Sequence, residues 1–246
     1  MSDDRRDHAD EPPEEFDPQL ANVPDRNRDP AWGYVSPGET RWPAAASMML
    51  IILWQLLLPE RLTLGPNWLI PAIEAAILVT LLIVGPSTLN SESKDVRYIA
   101  LTLIGVLIAA NVITLGFLLH TLLKTGQMVN GRAPIYSAVA VWSTGVISFG
   151  LLYWELDRGG PIARCSADHA APDFLFPQMG SAGSTEHEWT PRYLDYLYVS
   201  LTNSIAFSPT DALPLTHRAK VVMAIQSLAS LATIVVVGAR AVNILS

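Results

Sequence analysis

The chain has 246 residues, of which half are hydrophobic and only 16% are charged, whereas charged residues make up roughly 25% of a soluble domain. Its 23 acidic and 16 basic side chains give a net charge of −7, which excludes nucleic-acid binding through a basic face. The single cysteine, Cys165, excludes an intrachain disulfide and a multi-cysteine metal site. We expect no cofactor, and the low charge favours a membrane protein.

The first segment of the chain is acidic and rich in proline. Residues 1–42 hold eleven acidic and five basic side chains, which account for −6 of the net charge. This composition buries too little apolar surface to fold, so we predict a disordered tail over residues 1–41. No apolar run follows Arg5 and Arg6, so the tail is not a signal peptide. It either docks a partner or is a solvated, sequence-tolerant extension.

Five apolar stretches follow, and a helix needs about 20 mostly apolar residues to cross a bilayer. Trp and Tyr lie near most of their ends, as in interfacial aromatic belts. We predict an all-α integral protein of the lipid bilayer, with a three-span part over 42–132 and a second part over 133–246. The five predicted spans are Trp42–Pro59, Trp68–Gly85, Tyr98–Leu123, Ala133–Trp154 and Val221–Ala239.

Two polar residues interrupt the first three spans. Glu74 lies six residues into the second span, and Asn111 lies near the middle of the third. Ionisable groups inside a membrane are costly and are functional candidates, so both residues could belong to an ion or proton path. Alternatively, Glu74 reaches water at the nearby interface, and Asn111 forms an interhelical hydrogen bond.

The connection after the fourth span is too polar to cross the membrane. Glu155, Asp157 and Arg158 follow that span directly and can form an ion pair at the membrane interface. The loop continues to Pro191. The next apolar segment, Tyr193–Phe207, has about fifteen residues and contains Ser, Thr and Asn, so we predict a re-entrant or amphipathic helix before the last span.

No sequence motif for catalysis or metal binding occurs in the chain. GxGxxG, Walker-type, HExxH and GxSxG patterns are absent, so we predict that the protein is not an enzyme. The spacing of Cys165, Asp168, His169 and His187 matches no zinc signature, and we predict no metal site.

The last span carries a polar stripe. Gln226, Ser227, Ser230 and Thr233 occupy positions i, i+1, i+4 and i+7, which lie on one helical face. If the chain forms a pore, this face should line it. The alternative is helix–helix packing, because membrane helix interfaces also favour small and polar residues.

The segment before this span resembles the pore loop of potassium-channel-like proteins. Tyr198–Asp211 reads YVSLTNSIAFSPTD, and the following D-x-x-P-x-T from Asp211 to Thr216 is similar to the residues after their filter. The resemblance implies an outer helix at 133–154, a symmetric homo-oligomer, a tetramer in that family, and a small ion as the permeant species. The positions that it makes pore- or filter-like are Thr202, Asn203, Ser204, Ala206, Phe207, Ser208, Pro209, Thr210 and Asp211.

The filter positions depart from this family. A potassium filter is lined by backbone carbonyls and uses glycine for conformations that other residues reach only at a cost. Here positions 206–210 read Ala-Phe-Ser-Pro-Thr, and no glycine occurs between Gly183 and Gly238. Pro209 also fixes its own φ. We therefore predict that any pore lacks potassium-type selectivity.

A second resemblance covers the whole chain. The stretch Arg61-Leu-Thr-Leu-Gly65 and the closing stretch Ser208–Asn243 are similar to an uncharacterised family of bacterial multi-pass membrane proteins, domain-of-unknown-function family 1345. The resemblance implies a multi-pass protein of the plasma membrane, and that family supplies no established activity.

The charges between the spans bear on orientation. With a cytoplasmic N-terminus, ten of the fourteen Lys and Arg from Arg26 onward lie inside and four outside, as the positive-inside rule favours. A pore-loop channel would instead have the 155–220 loop outside. Two hypotheses follow: a pore-loop channel-like protein without a potassium-type filter, and a non-conducting scaffold or accessory protein whose acidic tail binds a partner.

Overall fold

The chain is mainly helical in the computed structural model, which describes residues 39–56, 68–84, 94–124, 133–165, 170–179, 189–206 and 212–245. Residues 1–38 of the predicted tail lie outside this part of the chain. The α-helices of the described residues are α1 (Trp42–Leu56), α2 (Leu69–Val84), α3 (Lys94–Lys124), α4 (Ala133–Leu156), α5 (Tyr193–Ala206) and α6 (His217–Leu245). Short 3-10 turns cover Asp157–Gly159, Ala163–Cys165 and Pro177–Met179.

The prediction of a mainly helical chain with helices able to cross a membrane is confirmed, but the five predicted spans are not. Among the described residues, three helices are long and apolar enough to cross a membrane: α3, α4 and α6. α1 and α2 have 15 and 16 residues. At about 1.5 Å per residue each is nearer 23 Å than the ~30 Å of a hydrocarbon core. Residues 57–59 and 85 of the predicted spans 42–59 and 68–85 lie outside the part of the chain that the structure describes.

The first turns of α5 and α6 are capped by neighbouring side chains. Asp195 accepts a hydrogen bond from the Arg192 backbone N–H (2.7 Å), which is one half of a capping box. Thr216 Oγ1 accepts from the Ala219 N–H (3.3 Å) at the start of α6. The sequence therefore defines where both helices begin, and Pro191 stands just before α5.

The starts of α1 and α5 and the end of α4 lie together at one end of the helix bundle. Glu39, just before α1, accepts a hydrogen bond from the Trp154 indole N–H (2.9 Å) and one from the Tyr193 backbone N–H (2.7 Å). Residues 157–165, 170–179 and 212–216 cover this end of the bundle, and we call them the cap.

Helices α5 and α6 run in the same direction, because both begin at the cap. Tyr196, in the first turn of α5, donates to Asp157 at 2.6 Å. Arg218, in the first turn of α6, donates to Asp173 at 2.6 Å. Both aspartates belong to the cap, so the bundle holds two parallel neighbours at this point.

The chain returns to the cap between α5 and α6. α5 carries it about 20 Å away, at 1.5 Å per residue over its 14 residues. Soon after Ala212 the chain lies in β2 (Leu213–Pro214), which pairs antiparallel with β1 (Phe174–Leu175) in the cap. Between α4 and α6 the described chain therefore leaves the cap along α5 and is in the cap again from Ala212 onward.

Aromatic rings join the cap to the helices. The Phe174 ring lies 5.2 Å from that of Tyr153 on α4, and the Phe176 ring lies 5.4 Å from that of Tyr196 on α5. Trp154 packs edge-on against Tyr193 at 5.9 Å. Such pairs contribute roughly 0.5–1.5 kcal/mol each beyond their buried area, so the cap is packed onto the bundle.

Candidate functional site between helices α4, α5 and α6

Gln226 lies at the centre of a buried hydrogen-bond network that joins α4, α5 and α6. Its Nε2 donates to Ser200 Oγ at 2.6 Å and to Ser204 Oγ at 2.7 Å. Its Oε1 accepts from Asn203 Nδ2 at 2.9 Å and from the Tyr153 hydroxyl. Gln226 is only 1% exposed, so these bonds satisfy an amide that water does not reach. We call this set of side chains the neutral network.

Backbone carbonyls extend the neutral network to all three helices. Asn203 Nδ2 donates to the Met223 carbonyl of α6 at 3.0 Å, and Asn203 Oδ1 accepts from Ser227 Oγ at 3.0 Å. Ser200 Oγ donates to the Val146 carbonyl of α4 at 2.6 Å. The short α5 is therefore held between α4 and α6 by polar bonds as well as by apolar packing.

The spacing along each helix explains why these side chains meet. Ser200, Asn203 and Ser204 stand at i, i+3 and i+4 on α5, and Gln226 and Ser230 stand at i and i+4 on α6. Residues with these spacings share one helical face. Because α5 and α6 are parallel neighbours, two polar faces of similar depth meet in the bundle.

Of the residues predicted for a pore, four belong to the neutral network: Asn203, Ser204, Gln226 and Ser227. Ser230 and Thr233 are also buried, at 7% and 3% exposure. These positions correspond to the packing alternative within one chain.

Two further predicted pore residues bond to their own helices. Thr202 Oγ1 bonds the Tyr198 carbonyl of its own helix at 3.0 Å, and Thr233 Oγ1 bonds the Ala229 carbonyl at 2.9 Å. Ala206 is the last residue of α5. The rest of the predicted filter lies outside the described residues: Phe207, Ser208, Pro209, Thr210 and Asp211.

Two members of the network were not predicted from the sequence. Tyr153 stands near the end of the fourth predicted span, where an aromatic residue indicates the interfacial belt, but it is 0% exposed and its hydroxyl bonds Gln226 inside the bundle. Ser200 stands three residues before Asn203, a spacing that could have placed it on the same face. Nothing in a single sequence indicates the partner of Tyr153, which is 73 positions away.

A second buried polar group lies in the cap and is charged. Asp157, at the end of α4, is 0% exposed. Its Oδ1 accepts from the backbone N–H of Asp173 (2.7 Å) and of Phe174 (3.4 Å), and its Oδ2 accepts from the Tyr196 hydroxyl (2.6 Å). One carboxylate thereby connects α4, the β1 segment and α5.

Asp173 connects the same cap to α6. Its Oδ1 accepts from Arg218 Nε (2.6 Å) and from Thr216 Oγ1 (2.5 Å), and its Oδ2 accepts from Arg218 Nη2 (2.6 Å). Its Oδ2 also lies 3.3 Å from the Arg158 backbone N–H. The arginine–carboxylate pair is bidentate, the geometry that gives the strongest hydrogen bonds between charged side chains.

Two further arginines lie inside this charged cluster. Arg158 Nε is 3.7 Å from Asp157 Oδ2, so the ion pair predicted from the sequence is present, but buried. Arg164, 2% exposed, donates to the carbonyls of Trp154 (2.8 Å) and Asp157 (3.1 Å). Its guanidinium carbon lies 5.2 Å from the centre of the Tyr196 ring. We call Asp157, Arg158, Arg164, Asp173 and Arg218 the charged cluster.

Tyr196 remains a hydrogen-bond donor to this cluster. Burial raises the pKa of Tyr196 well above its ordinary value, although the nearby Arg164 opposes the shift. The hydroxyl is therefore protonated at physiological pH and donates to Asp157.

The backbone makes a sharp turn where α4 ends. Arg158 has a φ of 54°, and Gly159 and Gly160 have φ values of 88° and 104°. An added Cβ at Gly160 would lie 3.1 Å from Glu155 Oε2. This conformation is nearly restricted to glycine, which explains the Gly159-Gly160 pair after the fourth predicted span.

Glu74 on α2 and Asn111 on α3, the two polar residues singled out in the first three predicted spans, lie apart from both clusters. Glu74 is 0% exposed, and its Oε1 accepts from Gln55 Nε2 of α1 at 3.1 Å. It is therefore packed between helices instead of extending to water. Asn111 Nδ2 lies 3.1 Å from the position of a Cβ on Gly145, so Asn111 stands where α3 and α4 approach closely.

The chemistry of the two clusters differs. The neutral network holds amides, hydroxyls and carbonyls, which can join helices by hydrogen bonds but carry no net charge. The charged cluster holds arginines and aspartates.

Among the described residues, no group of three or more His, Cys, Asp or Glu is placed to hold a metal ion. Comparison of the chain with protein-family models, with curated proteins and with solved structures finds no match.

Proposed function

We propose that the protein is a non-conducting membrane scaffold or accessory protein. The observation that carries this proposal is the neutral network. Two polar side chains of α6 that could have lined a pore, Gln226 and Ser227, are instead bonded to neighbouring helices of the same chain, with Gln226 at 1% exposure. Ser230 and Thr233 of the same face are buried within the chain.

The exposed face of α6 supports the same conclusion. Val221, Ile225 and Leu228 are 57%, 51% and 67% exposed. A pore formed by this face between copies would be lined by apolar side chains, and a hydrophobic constriction excludes water and ions by dewetting. The face suits lipid or a protein partner better than an ion path.

In this proposal the partner of the scaffold docks beside the cap. The charged cluster and the aromatic pairs hold the cap on the bundle. Glu39, near the end of the acidic tail, accepts hydrogen bonds from Trp154 and Tyr193. A partner that binds residues 1–38 would therefore be attached directly beside the cap. In this proposal the tail captures the partner and the bundle anchors it to the membrane.

A second candidate is the pore-loop protein, because α5 and α6 run in parallel from the cap and the chain returns to the cap between them. This is the order of outer helix, pore helix, return segment and inner helix. In this alternative, residues 206–211 of several copies, four by resemblance, would surround an opening for a small ion.

Ion flux separates the two candidates. The scaffold proposal predicts that full-length protein in liposomes gives no potassium or sodium flux above that of empty liposomes. A cation flux that Asp211→Asn lowers, while the control Asp195→Asn leaves it unchanged, would overturn the proposal and favour the pore, since acidic groups at a pore mouth concentrate cations.

We also propose that the cap faces the cytoplasm and that the protein lies in the plasma membrane with its N-terminus inside. The support is the excess of Lys and Arg on the cap side. Gln178 is exposed in the cap, so a Gln178→Cys, Cys165→Ser variant reports its side. We expect an impermeant thiol reagent to label it only after the cells are opened; labelling of intact cells would reverse the orientation.

A further inference from the structure

The first turn of α6 and the strand before it form an exposed rim of apolar and basic side chains. Leu213 and Leu215 are 57% and 37% exposed. His217, Arg218 and Lys220 are exposed directly after them. We call these five residues the α6 rim. Exposed leucines beside basic side chains are typical of a surface that lies at a membrane–water interface.

The exposed charge of this rim is positive, because the carboxylate that pairs with Arg218 is itself buried. Both Asp157 and Asp173 are 0% exposed, whereas the Arg218 side chain is 52% exposed. Arg218 is fixed in place by its two bonds to Asp173, and Lys220 adds a second exposed cation. The outer surface at this point is therefore cationic although its inner partners are acidic.

An apolar stripe continues from the rim along α6. Val221, Ile225 and Leu228 stand at i, i+4 and i+7 and are each at least half exposed. At about 1.5 Å per residue, this stripe extends roughly 10 Å from its first to its last residue. A cationic end above a continuous apolar stripe matches the two parts of an anionic phospholipid.

We propose that the α6 rim binds an anionic phospholipid. The lipid phosphate lies between Arg218 and Lys220, Leu213 and Leu215 lie at the boundary of headgroup and acyl chain, and the acyl chains pack along Val221, Ile225 and Leu228. The inference does not depend on whether the protein conducts, because the site faces outward from the neutral network.

The test compares two lipids that differ only in headgroup charge. Full-length protein in detergent is titrated with phosphatidylglycerol or phosphatidylcholine of identical acyl chains, and thermal stability gives the half-saturating concentration. We expect tighter binding of phosphatidylglycerol. Lys220→Gln should weaken it about five-fold, the factor that corresponds to ~1 kcal/mol per basic residue near an anionic surface. Lys220→Arg should restore it.

The matched control is Lys124→Gln, which removes one positive charge at the opposite end of the bundle, where α3 ends. It should leave phosphatidylglycerol binding unchanged. Equal affinity for the two lipids, or equal loss in both glutamine variants, would overturn the proposal. So would a several-fold gain in binding on deletion of residues 2–38, because the acidic tail would then be the occupant of the rim.

Discussion

The central residues of the neutral network and of the charged cluster are equally buried, but the two sets are made of different groups. Gln226 is 1% exposed and Asp157 is 0% exposed. The first is built from amides and hydroxyls along the helices, and the second from arginines and aspartates at the helix ends. A charged side chain at the centre of a bilayer costs at least about 2.5–3.5 kcal/mol. This cost explains why the charged cluster lies in the cap and the neutral network lies deeper along the described helices.

This difference predicts unequal consequences of mutation. Removing one partner of a buried ion pair leaves an uncompensated charge and costs roughly 3–5 kcal/mol. Hydrogen bonds between membrane helices average only about 0.6 kcal/mol and reach ~1.7 kcal/mol. Mutations in the cap should therefore lower the free energy of unfolding most. Mutations in the neutral network should have smaller effects and mainly shift the position of α5 between α4 and α6.

The largest effect is expected for Asp157→Ala. This change leaves Arg158 without its carboxylate and removes the acceptor of the Asp173 and Tyr196 bonds. We expect a loss of about 3–5 kcal/mol, seen as aggregation or a large fall of the melting temperature in detergent. The control Asp195→Ala removes a helix-capping carboxylate and should cost only ~1 kcal/mol. Comparable losses in the two variants would contradict the assigned role of the charged cluster.

The second-largest effect is expected for Gly160→Ala, in the turn that follows α4. A φ of 104° and the Glu155 carboxylate, 3.1 Å from the new Cβ, both oppose a side chain. We expect a loss of about 1–3 kcal/mol from the backbone conformation, measured as a lower melting temperature. Gly105→Ala is the matched control, because no atom outside its own helix backbone lies within 4 Å of its Cβ position. It should be neutral or stabilising.

A smaller effect is expected for Gln226→Leu in the neutral network. The side chain keeps its approximate size but loses its bonds to Ser200, Ser204 and Asn203. We expect a loss of about 1–2 kcal/mol, near the upper end for polar contacts in membranes, by thermal unfolding in detergent. Gln178→Leu, at an exposed cap position, should change stability little. A Gln226→Leu loss larger than that of Asp157→Ala would reverse the comparison.

The smallest effect is expected for deletion of residues 2–38. This deletion keeps Glu39, which bonds Trp154 and Tyr193, and the removed segment is too polar to supply a core. Membrane insertion and melting temperature should match those of the full chain. Glu39→Gln in the full chain should lower the melting temperature more than the deletion does. A truncated protein that fails to insert would show that the tail is structural.

The sequence was sufficient for the helices but not for the length of every one. Apolar runs identified each helix, and the polar residues of Tyr193–Phe207 distinguished α5 from the longer helices. The runs 42–59 and 68–85 predict full spans because they lack charge, apart from Glu74, whereas the described helical residues there number 15 and 16. Hydropathy measures composition, so it gives an apolar run and not the bounds of a helix.

The polar residues were recognised more readily than their partners. Asn203, Ser204, Gln226 and Ser227 stood out because polar groups are rare in apolar helices, and their helical spacing was visible. Only the ion pair next to the fourth span could be predicted in the charged cluster, because Asp157 and Asp173 lie in a segment with the composition of a polar loop. Their partners are up to 45 positions away, and a single sequence carries no sign of such pairing.

The central claim is that the polar face of α6 is closed within one chain. The direct measurement is thiol accessibility of Ser230→Cys in the Cys165→Ser background, on full-length protein in membranes. The background removes a thiol whose pKa burial already raises. Ser230 is 7% exposed, so a water-soluble reagent should leave this cysteine unmodified while it labels the exposed control Gln178→Cys. Labelling of Ser230→Cys at the rate of the control would show a water-filled pore and contradict the account.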